Sequence, residues 1–161
     1  MTIGILSDTH SFLDPAIERH FAGCDEIWHA GDIGHAEILD RLAEIAPVVR
    51  AVRGNIDHGE TARRCPELLI FEVDGLRVLL THIGGYPGRY SRGMKTLLRE
   101  NRIGLMVDGH SHILKVIPDP ELNLLHINPG AAGHQGWQKQ RTILRLTITD
   151  ARPASLDVIH L

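Results

Sequence analysis

The sequence predicts an α/β fold in which two mixed β-sheets pack together with helices on the outside. The first half alternates short apolar runs with helical patterns, which is typical of parallel strands joined by right-handed crossovers. The second half places an Asp-Gly pair between two apolar runs, which predicts a hairpin, and continues with short strands. No repeat or linker interrupts the 161 residues, so we expect a single domain over residues 1–161.

The first half is predicted to run strand, helix, strand, helix, strand. We place the three strands at residues 3–6, 27–30 and 48–52. Asp14 is positioned to cap the first helix, with Pro15 in its first turn and Gly23 just past its end. The second helix covers residues 36–46, where apolar side chains recur on one face until Pro47 ends the pattern.

The second half is predicted to be mostly antiparallel. Its hairpin joins residues 69–73 to residues 76–81 through Asp74-Gly75. Ser91 is expected to cap one more helix, which turns inward the side chains of Met94, Leu97 and Leu98. The remaining strands are expected near residues 105–107, 113–117, 124–127, 142–149 and 156–159.

Composition excludes several classes of protein. A net charge of −3 gives no field that would draw the whole molecule to nucleic acid or to an anionic membrane. No stretch approaches transmembrane length and no signal peptide opens the chain, so we expect a cytoplasmic protein without a membrane segment. Cys24 and Cys65 lack zinc-type spacing, and we interpret them as reduced thiols that are either buried or incidental.

Five short polar motifs end five of the predicted strands. They are Asp8-Thr9-His10, Gly31-Asp32, Gly54-Asn55, His82 and Gly109-His110-Ser111-His112. Sites in open α/β sheets form outside the carboxyl ends of strands, so these side chains are expected to converge at one edge. The three glycines are expected to let the backbone turn sharply beside the cluster.

The seven candidate ligands suit two metal ions. Two carboxylates, one amide and four imidazoles are too many for one tetrahedral ion, but they fit two ions about 3.5–4 Å apart with a bridging carboxylate. Two carboxylates and a bridging hydroxide leave such a site positively charged, which favours a phosphate ester. The mixed donors suit manganese, zinc, iron, nickel or cobalt better than calcium and do not choose among these five metals. Manganese is the metal that we place first.

The order and spacing of these motifs resemble the calcineurin-like metallophosphoesterase superfamily, most closely its small single-domain bacterial and archaeal phosphodiesterase branch. The resemblance implies a four-layer αββα sandwich of the metallo-dependent phosphatase type. It assigns one ion to Asp8, His10, Asp32 and His112. It assigns the other ion to Asp32, Asn55, His82 and His110, with Asp32 bridging. A metal-bridging hydroxide would attack phosphorus in line, and Asp32 and Asn55 would be catalytic, with Asn55 also binding substrate.

Two positions depart from the pattern that the resemblance implies. Ile56, followed by Asp57, stands where many relatives place a histidine that can protonate the leaving group. His58 and His35 are the candidates to replace it as general acid. Ile83 stands between His82 and the Gly84-Gly85 pair, where glycine usually follows the histidine at once.

The expected activity is that of a metal-dependent phosphoesterase acting on a small-molecule phosphate ester. The diester preference comes from the resemblance, and the residues alone leave a phosphomonoesterase open. A nuclease would use the same metals, but the chain has no basic track to hold a strand. The sequence leaves the oligomeric state open, and a homodimer is one possibility because members of the family often pair. A protein-interaction scaffold of the same fold is the alternative from another class, and retention of every ligand position argues against it.

The other histidines are interpreted individually. His29 and His126 lie inside strand-like runs, and we predict that both are satisfied core histidines. His134 lies in a glycine-rich loop and is expected to be a solvated surface residue.

Overall fold

The computed structural model describes residues 1–161, which form twelve strands and four helices. In chain order these are β1 (Thr2–Leu6), α1 (Pro15–Phe21), β2 (Glu26–His29), α2 (Glu37–Ile45), β3 (Val48–Ala51), α3 (Gly59–Arg64), β4 (Leu68–Val73), β5 (Leu76–Thr81), β6 (Gly85–Tyr86), β7 (Arg89–Tyr90), α4 (Met94–Glu100), β8 (Leu105–Val107), β9 (Leu114–Asp119), β10 (Leu124–Pro129), β11 (Thr142–Thr149) and β12 (Arg152–His160). None of the helices has the length and apolar character needed to cross a membrane.

Both large sheets are mixed, as predicted. The first has the order β12-β11-β1-β2-β3. Strands β1, β2 and β3 run parallel to one another, β11 runs antiparallel to β1, and β12 runs antiparallel to β11. The second has the order β4-β5-β8-β10-β9 and is antiparallel only at its two edges. Its central strands β5, β8 and β10 are parallel because of two connections. Helix α4 forms the crossover from β5 to β8, and β9 runs back along the sheet edge so that β10 starts in the same direction as β8.

Three apolar layers hold the two sheets and the helices together. Trp28 and the inward faces of both sheets form the largest core, between the sheets. Helices α1 and α2 cover the outer face of the first sheet, where Phe21 and Leu42 are fully buried. Helix α4 covers the outer face of the second sheet through Met94 and Leu98. The predicted αββα sandwich is therefore confirmed.

The local signals at helix ends gave mixed results. Asp14 caps α1 as predicted, because its Oδ1 accepts a hydrogen bond from the backbone N–H of Ala16 at 2.9 Å. The predicted cap at Ser91 is wrong. Helix α4 begins after Gly93, whose φ is 80°, and the Ser91 hydroxyl instead donates to the carbonyl of Ile83 at 3.3 Å. Cys24 and Cys65 are free thiols, as predicted, and both are buried.

Three elements were not predicted. Helix α3 was missed because Thr61 is its only buried residue, so the segment carries no apolar stripe. The two-residue strands β6 and β7 form a small hairpin in the loop between β5 and α4. They are too short to produce an alternating pattern.

Candidate metal centre

The carboxyl ends of five strands meet where the edges of the two sheets come together. The loops after β1, β2 and β3 come from the first sheet, and the segments after β5 and β8 come from the second. These loops bring together the side chains of all seven predicted ligands, namely Asp8, His10, Asp32, Asn55, His82, His110 and His112. The convergence follows from the parallel direction of the strands.

One group of ligand atoms combines the first and last motifs. The Oδ1 atom of Asp8 lies 3.0 Å from Nε2 of His112 and 3.9 Å from Nε2 of His10. The carboxylate of Asp8 is fully buried, and both imidazoles are partly exposed. One ligand atom from each residue fits within a span of 4.8 Å, which a single metal ion could fill.

A second group lies beside the first. The Oδ1 atom of Asn55 is 3.0 Å from Nε2 of His82 and 3.0 Å from Nδ1 of His110. Ligand atoms of Asp32, His82 and His110 also lie within 4.8 Å of one another. His82 is buried, whereas Asn55 and His110 are exposed, so this group faces solvent.

Asp32 lies between the two groups and faces both. Its Oδ2 is 3.5 Å from Nε2 of His10, and its Oδ1 is 3.3 Å from Nε2 of His82. Burial alone would raise the pKa of Asp32. Hydrogen bonds with His82 and with the N–H of Ile56 outweigh that effect and hold the pKa of the carboxyl below its usual value. Asp32 is therefore an anion at neutral pH, with one carboxylate oxygen facing each ligand group.

Buried polar atoms without partners indicate that the residues fit metal ions. Asp8 Oδ1 and His10 Nε2 are both shielded from solvent and have no hydrogen-bond partner. His112 lies 3.0 Å from Asp8 Oδ1, but no N–H points at that oxygen in a hydrogen-bonding direction. A buried polar atom without a partner costs free energy of folding, and a bound cation would supply the missing partner to both atoms. The carboxylate, amide and imidazole donors together suit first-row divalent ions.

Two of the histidines are oriented by partners behind them. Nδ1 of His82 lies 2.7 Å from the carbonyl of Ala30, and Nδ1 of His112 lies 2.9 Å from Oε1 of Gln138. Each acceptor favours the proton on Nδ1, which leaves the Nε2 lone pair directed at the centre. Gln138 was missed because it lies in a loop with no motif, and only the fold brings it to His112.

The protonation of these histidines reflects the same contacts. The Asp8 carboxylate beside Nε2, with Gln138 at Nδ1, raises the pKa of His112 to about 9. Burial opposes a charge on His82, but its hydrogen bond with Asp32 and the nearby charge of Asp8 raise its pKa above the usual value. Protons therefore compete with a cation for these ligand atoms.

Asp57 holds the second and third loops together. Its carboxylate accepts hydrogen bonds from the backbone N–H groups of Ile33 at 3.1 Å, Gly34 at 2.8 Å and Gly54 at 2.7 Å. These three donors flank Asp32 and Asn55 in the sequence. Asp57 follows Ile56, where the sequence departs from the expected motif. Its role in joining the two loops was not predicted.

The backbone at the ligands is strained. Five of the seven predicted ligands have φ values between 45° and 67°, namely Asp8, His10, Asp32, His110 and His112. A non-glycine residue in this region costs of order 1–3 kcal/mol, and such strain concentrates at functional sites. Backbone hydrogen bonds between the first two loops sustain it, including Asp8 N to Gly31 O at 2.9 Å and His10 N to Asp32 O at 3.0 Å.

The three glycines of the motifs lie at turns, as expected. Gly31 has a φ of 93°. Gly54 and Gly109 have no positive φ, but their carbonyls accept turn hydrogen bonds from the N–H of Asp57 at 3.3 Å and of Ser111 at 2.7 Å. Both also allow close packing. A Cβ at Gly54 would overlap the Asp32 carboxylate, and one at Gly109 would overlap the Ser7 hydroxyl.

The remaining histidines divide into buried and exposed. His29 is fully buried as predicted, and burial lowers its pKa to about 4. His126 is also buried and bonds through Nε2 to Asp108 at 2.9 Å, although its Nδ1 has no partner. His134 is exposed as predicted and lies against the ring of Phe12.

The two candidate general acids lie outside the two ligand groups. His35 and His58 are both exposed, and Nδ1 of His58 is 3.0 Å from the carbonyl of Ile56. Their assignment as acids stays a prediction.

Comparison with known proteins agrees with the fold and the residues. The model for the calcineurin-like phosphoesterase superfamily domain matches residues 1–151. A probable metallophosphoesterase of Methanocaldococcus jannaschii is 30% identical over 162 residues, which cover 97% of this chain and 80% of that protein. The chain therefore belongs to the calcineurin-like phosphoesterase superfamily, as the motifs predicted. The family depends on divalent metal, and this chain has two candidate ligand groups.

Solved structures show that the fold is shared with an archaeal phosphodiesterase and with Vps29. The structure of a novel archaeal phosphodiesterase matches with a TM-score of 0.79 and 22% identity, covering 100% of both chains. Vps29 of Chaetomium thermophilum matches with a TM-score of 0.77 and 14% identity, covering 100% of this chain and 97% of that one. At these identities the likeness concerns the fold alone.

Proposed function

We propose that the protein is a phosphodiesterase that depends on two divalent metal ions, manganese first among them, and acts on a small-molecule phosphate ester. The observation that carries this proposal is the position of Asp32, whose two oxygens face different ligand groups. A carboxylate so placed suits a dinuclear site better than two independent ones. The archaeal phosphodiesterase with the same fold supports the choice of a diester substrate.

Asp8, His10, Asp32 and His112 would hold one ion, and Asp32, Asn55, His82 and His110 the other. When bound, the two ions supply positive charge for the phosphoryl oxygens and generate a nucleophile from water at neutral pH. Overall, a P–O ester bond breaks, an oxygen from water joins phosphorus, and the alcohol leaves with a proton.

The protein side chains set the charge at this centre. Only Asp8 and Asp32 carry negative charge, so two divalent ions keep a positive excess that attracts the phosphate anion. Asn55 contributes a neutral oxygen, which holds an ion without cancelling that charge. Its side-chain N–H₂ is a donor for a phosphate oxygen. His58 or His35 would supply the proton to the leaving alcohol.

Hydrolysis of a generic aryl diester tests the proposal. Metal-free protein is loaded with Mn²⁺ and assayed with bis(p-nitrophenyl) phosphate and p-nitrophenyl phosphate. We expect faster turnover of the diester, and loss of turnover in Asn55→Ala with unchanged thermal unfolding. Asn101→Ala is the matched control, because its amide bonds only to the carbonyl of Leu97 at the end of α4. Wild-type turnover by Asn55→Ala would contradict the assigned role.

A Vps29-like scaffold is the second candidate, and the shared fold favours it. The two functions make different demands on the metal centre, because a scaffold needs no catalytic turnover. A purified protein that binds Mn²⁺ but hydrolyses neither ester would support the scaffold. A monoesterase would show the opposite substrate preference from the one we propose.

A further inference from the structure

Two clefts open beside the second ligand group, and Ile83 separates them. The first, which we call the Asn55 cleft, is lined by Arg53, Asn55, Glu67, Thr81, His82 and Ile83. The second, the His110 cleft, has a lining that includes Ile83, Tyr86, Asp108, His110, Ser111 and Lys115. Ile83 is the one residue that lines both, and half of its surface is exposed although it is apolar.

The Asn55 cleft is the larger of the two. Its volume is about 300 Å³, which is at the lower end of the range for small-molecule sites. A guanidinium and a carboxylate form one wall, where Arg53 Nη2 lies 2.9 Å from Glu67 Oε1. This paired wall provides hydrogen-bond donors and acceptors with little net charge. The cleft therefore suits an uncharged substituent with polar groups rather than a second phosphate.

The His110 cleft has about half that volume, near 150 Å³. The Lys115 ammonium lies 4.9 Å from the centre of the Tyr86 ring and 3.4 Å from the hydroxyl of Ser111. Asp108 is buried at its base, with Oδ1 bonded to His126. Most of the surface that this lining exposes is apolar, so the cleft suits a small substituent with little polar character.

Both clefts begin at ligands of the same candidate ion. Asn55 and His82 line one and His110 lines the other, while Asn55 Oδ1 is 3.0 Å from a ring nitrogen of each histidine. A phosphorus atom bound at this ion would therefore have both clefts next to it. A phosphodiester carries two organic substituents, whereas a monoester carries one and leaves a cleft empty.

We propose that Ile83 is a specificity-determining residue that separates the two substituents of a phosphodiester. One substituent occupies the Asn55 cleft and the other occupies the smaller His110 cleft. This inference rests on the proposed phosphoesterase function. It also gives a role to the isoleucine that stands where the motif resemblance implies glycine.

Substitution of the dividing residue tests the inference. Ile83→Trp places an indole over both clefts, and we expect the diester-to-monoester ratio of kcat/KM to fall at least tenfold with the two p-nitrophenyl esters. Val158→Trp is the matched control, because Val158 is an exposed apolar residue on β12 and lines neither cleft. The control is expected to keep the wild-type ratio.

A binding measurement separates substrate recognition from turnover. Diphenylphosphinate mimics a diester and phenylphosphonate a monoester, and neither has an ester bond to hydrolyse. Calorimetric titration of Mn²⁺-loaded protein should show at least a tenfold loss of affinity for diphenylphosphinate in Ile83→Trp. The affinity for phenylphosphonate should change less than that.

The outcomes distinguish this inference from the function on which it rests. Turnover of both esters with an unchanged ratio in Ile83→Trp would overturn the role of Ile83 alone. Failure of the wild-type protein to hydrolyse either ester would overturn the proposed function and this inference with it. Equal losses for both phosphorus analogues would also contradict a division between two substituents.

Discussion

The Oδ1 atom of Asp32 lies 3.3 Å from Nε2 of His82, while the other oxygen of the same carboxylate faces His10. One short side chain thus connects the ligands that follow β1 with those that follow β5, which belong to different sheets. Because the contact crosses the interface between sheets, the geometry of the centre depends on how the two sheets pack. The following predictions concern the residues that maintain this geometry.

Gln138 is expected to support metal binding through His112. Gln138→Leu removes the acceptor 2.9 Å from Nδ1 and frees the ring to rotate or change tautomer. Loss of a residue that hydrogen-bonds to a metal-ligating histidine typically weakens metal binding by about 10–100-fold. We expect the affinity for Mn²⁺ to fall within that range. Calorimetric titration of metal-free protein measures it.

Gln135→Leu is the control for this substitution. The side chain of Gln135 is exposed, and only its backbone carbonyl contacts Gln138. Equal Mn²⁺ affinity in the two variants would contradict the orienting role of Gln138.

Metal binding is expected to strengthen with pH and to release protons. In the metal-free protein the pKa of His112 is about 9, so below that pH a proton occupies the atom that a metal ion needs. Raising the pH from 6.5 to 8.5 stays below this pKa and weakens the competition, so the apparent affinity should rise by roughly tenfold per pH unit. Titration in two buffers of different ionisation enthalpy measures the protons released. An affinity independent of pH would contradict the assignment of His112.

Asp57 is expected to stabilise the fold as well as the centre. Asp57→Ala leaves three backbone N–H groups without their carboxylate acceptor, and we expect a loss of about 2–4 kcal/mol in the free energy of unfolding. Chemical denaturation of the metal-free protein measures it. Asp40→Ala is the control, since its exposed pair with Arg64 is screened by solvent and should contribute far less. Similar losses of unfolding free energy in the two variants would contradict the role of Asp57 in joining the two loops.

His29 is expected to make the metal-free protein sensitive to acid. The Gly31 N–H donates to Nδ1 of His29. Protonation of that nitrogen would leave two N–H groups facing each other in the protein interior, with no acceptor between them. The pKa falls from 6.5 to about 4 on folding, so the unfolded chain binds more protons between these values. Stability should therefore fall as the pH is lowered from 6.5 to 4, by about 3 kcal/mol from this residue.

Comparison of pH profiles isolates the contribution of His29. His29→Gln should lose that part of the pH dependence, whereas His160→Gln, at an exposed position, should retain the wild-type profile. Identical pH profiles of unfolding in wild type and His29→Gln would contradict the account.

Much of the fold could be predicted because its signals are local. The Asp74-Gly75 turn, the Asp14 cap and the apolar strand runs each depend on neighbouring residues. The convergence of the ligands could also be predicted, since parallel strands place their carboxyl ends at one edge. Helix α3 gave no such signal, because it buries one residue and derives its position from the loops around it.

The supporting residues of the centre could not be predicted for a different reason. Gln138 and Asp57 act through contacts that exist only once distant loops have met, and neither belongs to a ligand motif. The positive φ values of Asp8 and His112 arise from the same tertiary constraints. Cytoplasmic location and the homodimer stay predictions.

The number of Mn²⁺ ions bound per chain, with and without Asp32, tests the central claim most directly. Metal-free wild type, Asp32→Ala and the surface control Asp40→Ala are dialysed against Mn²⁺, and the bound metal is quantified by mass spectrometry. We predict two ions per chain in the wild type and the control, and at most one in Asp32→Ala, together with loss of diester hydrolysis. Two ions and wild-type turnover in Asp32→Ala would contradict a centre bridged by Asp32.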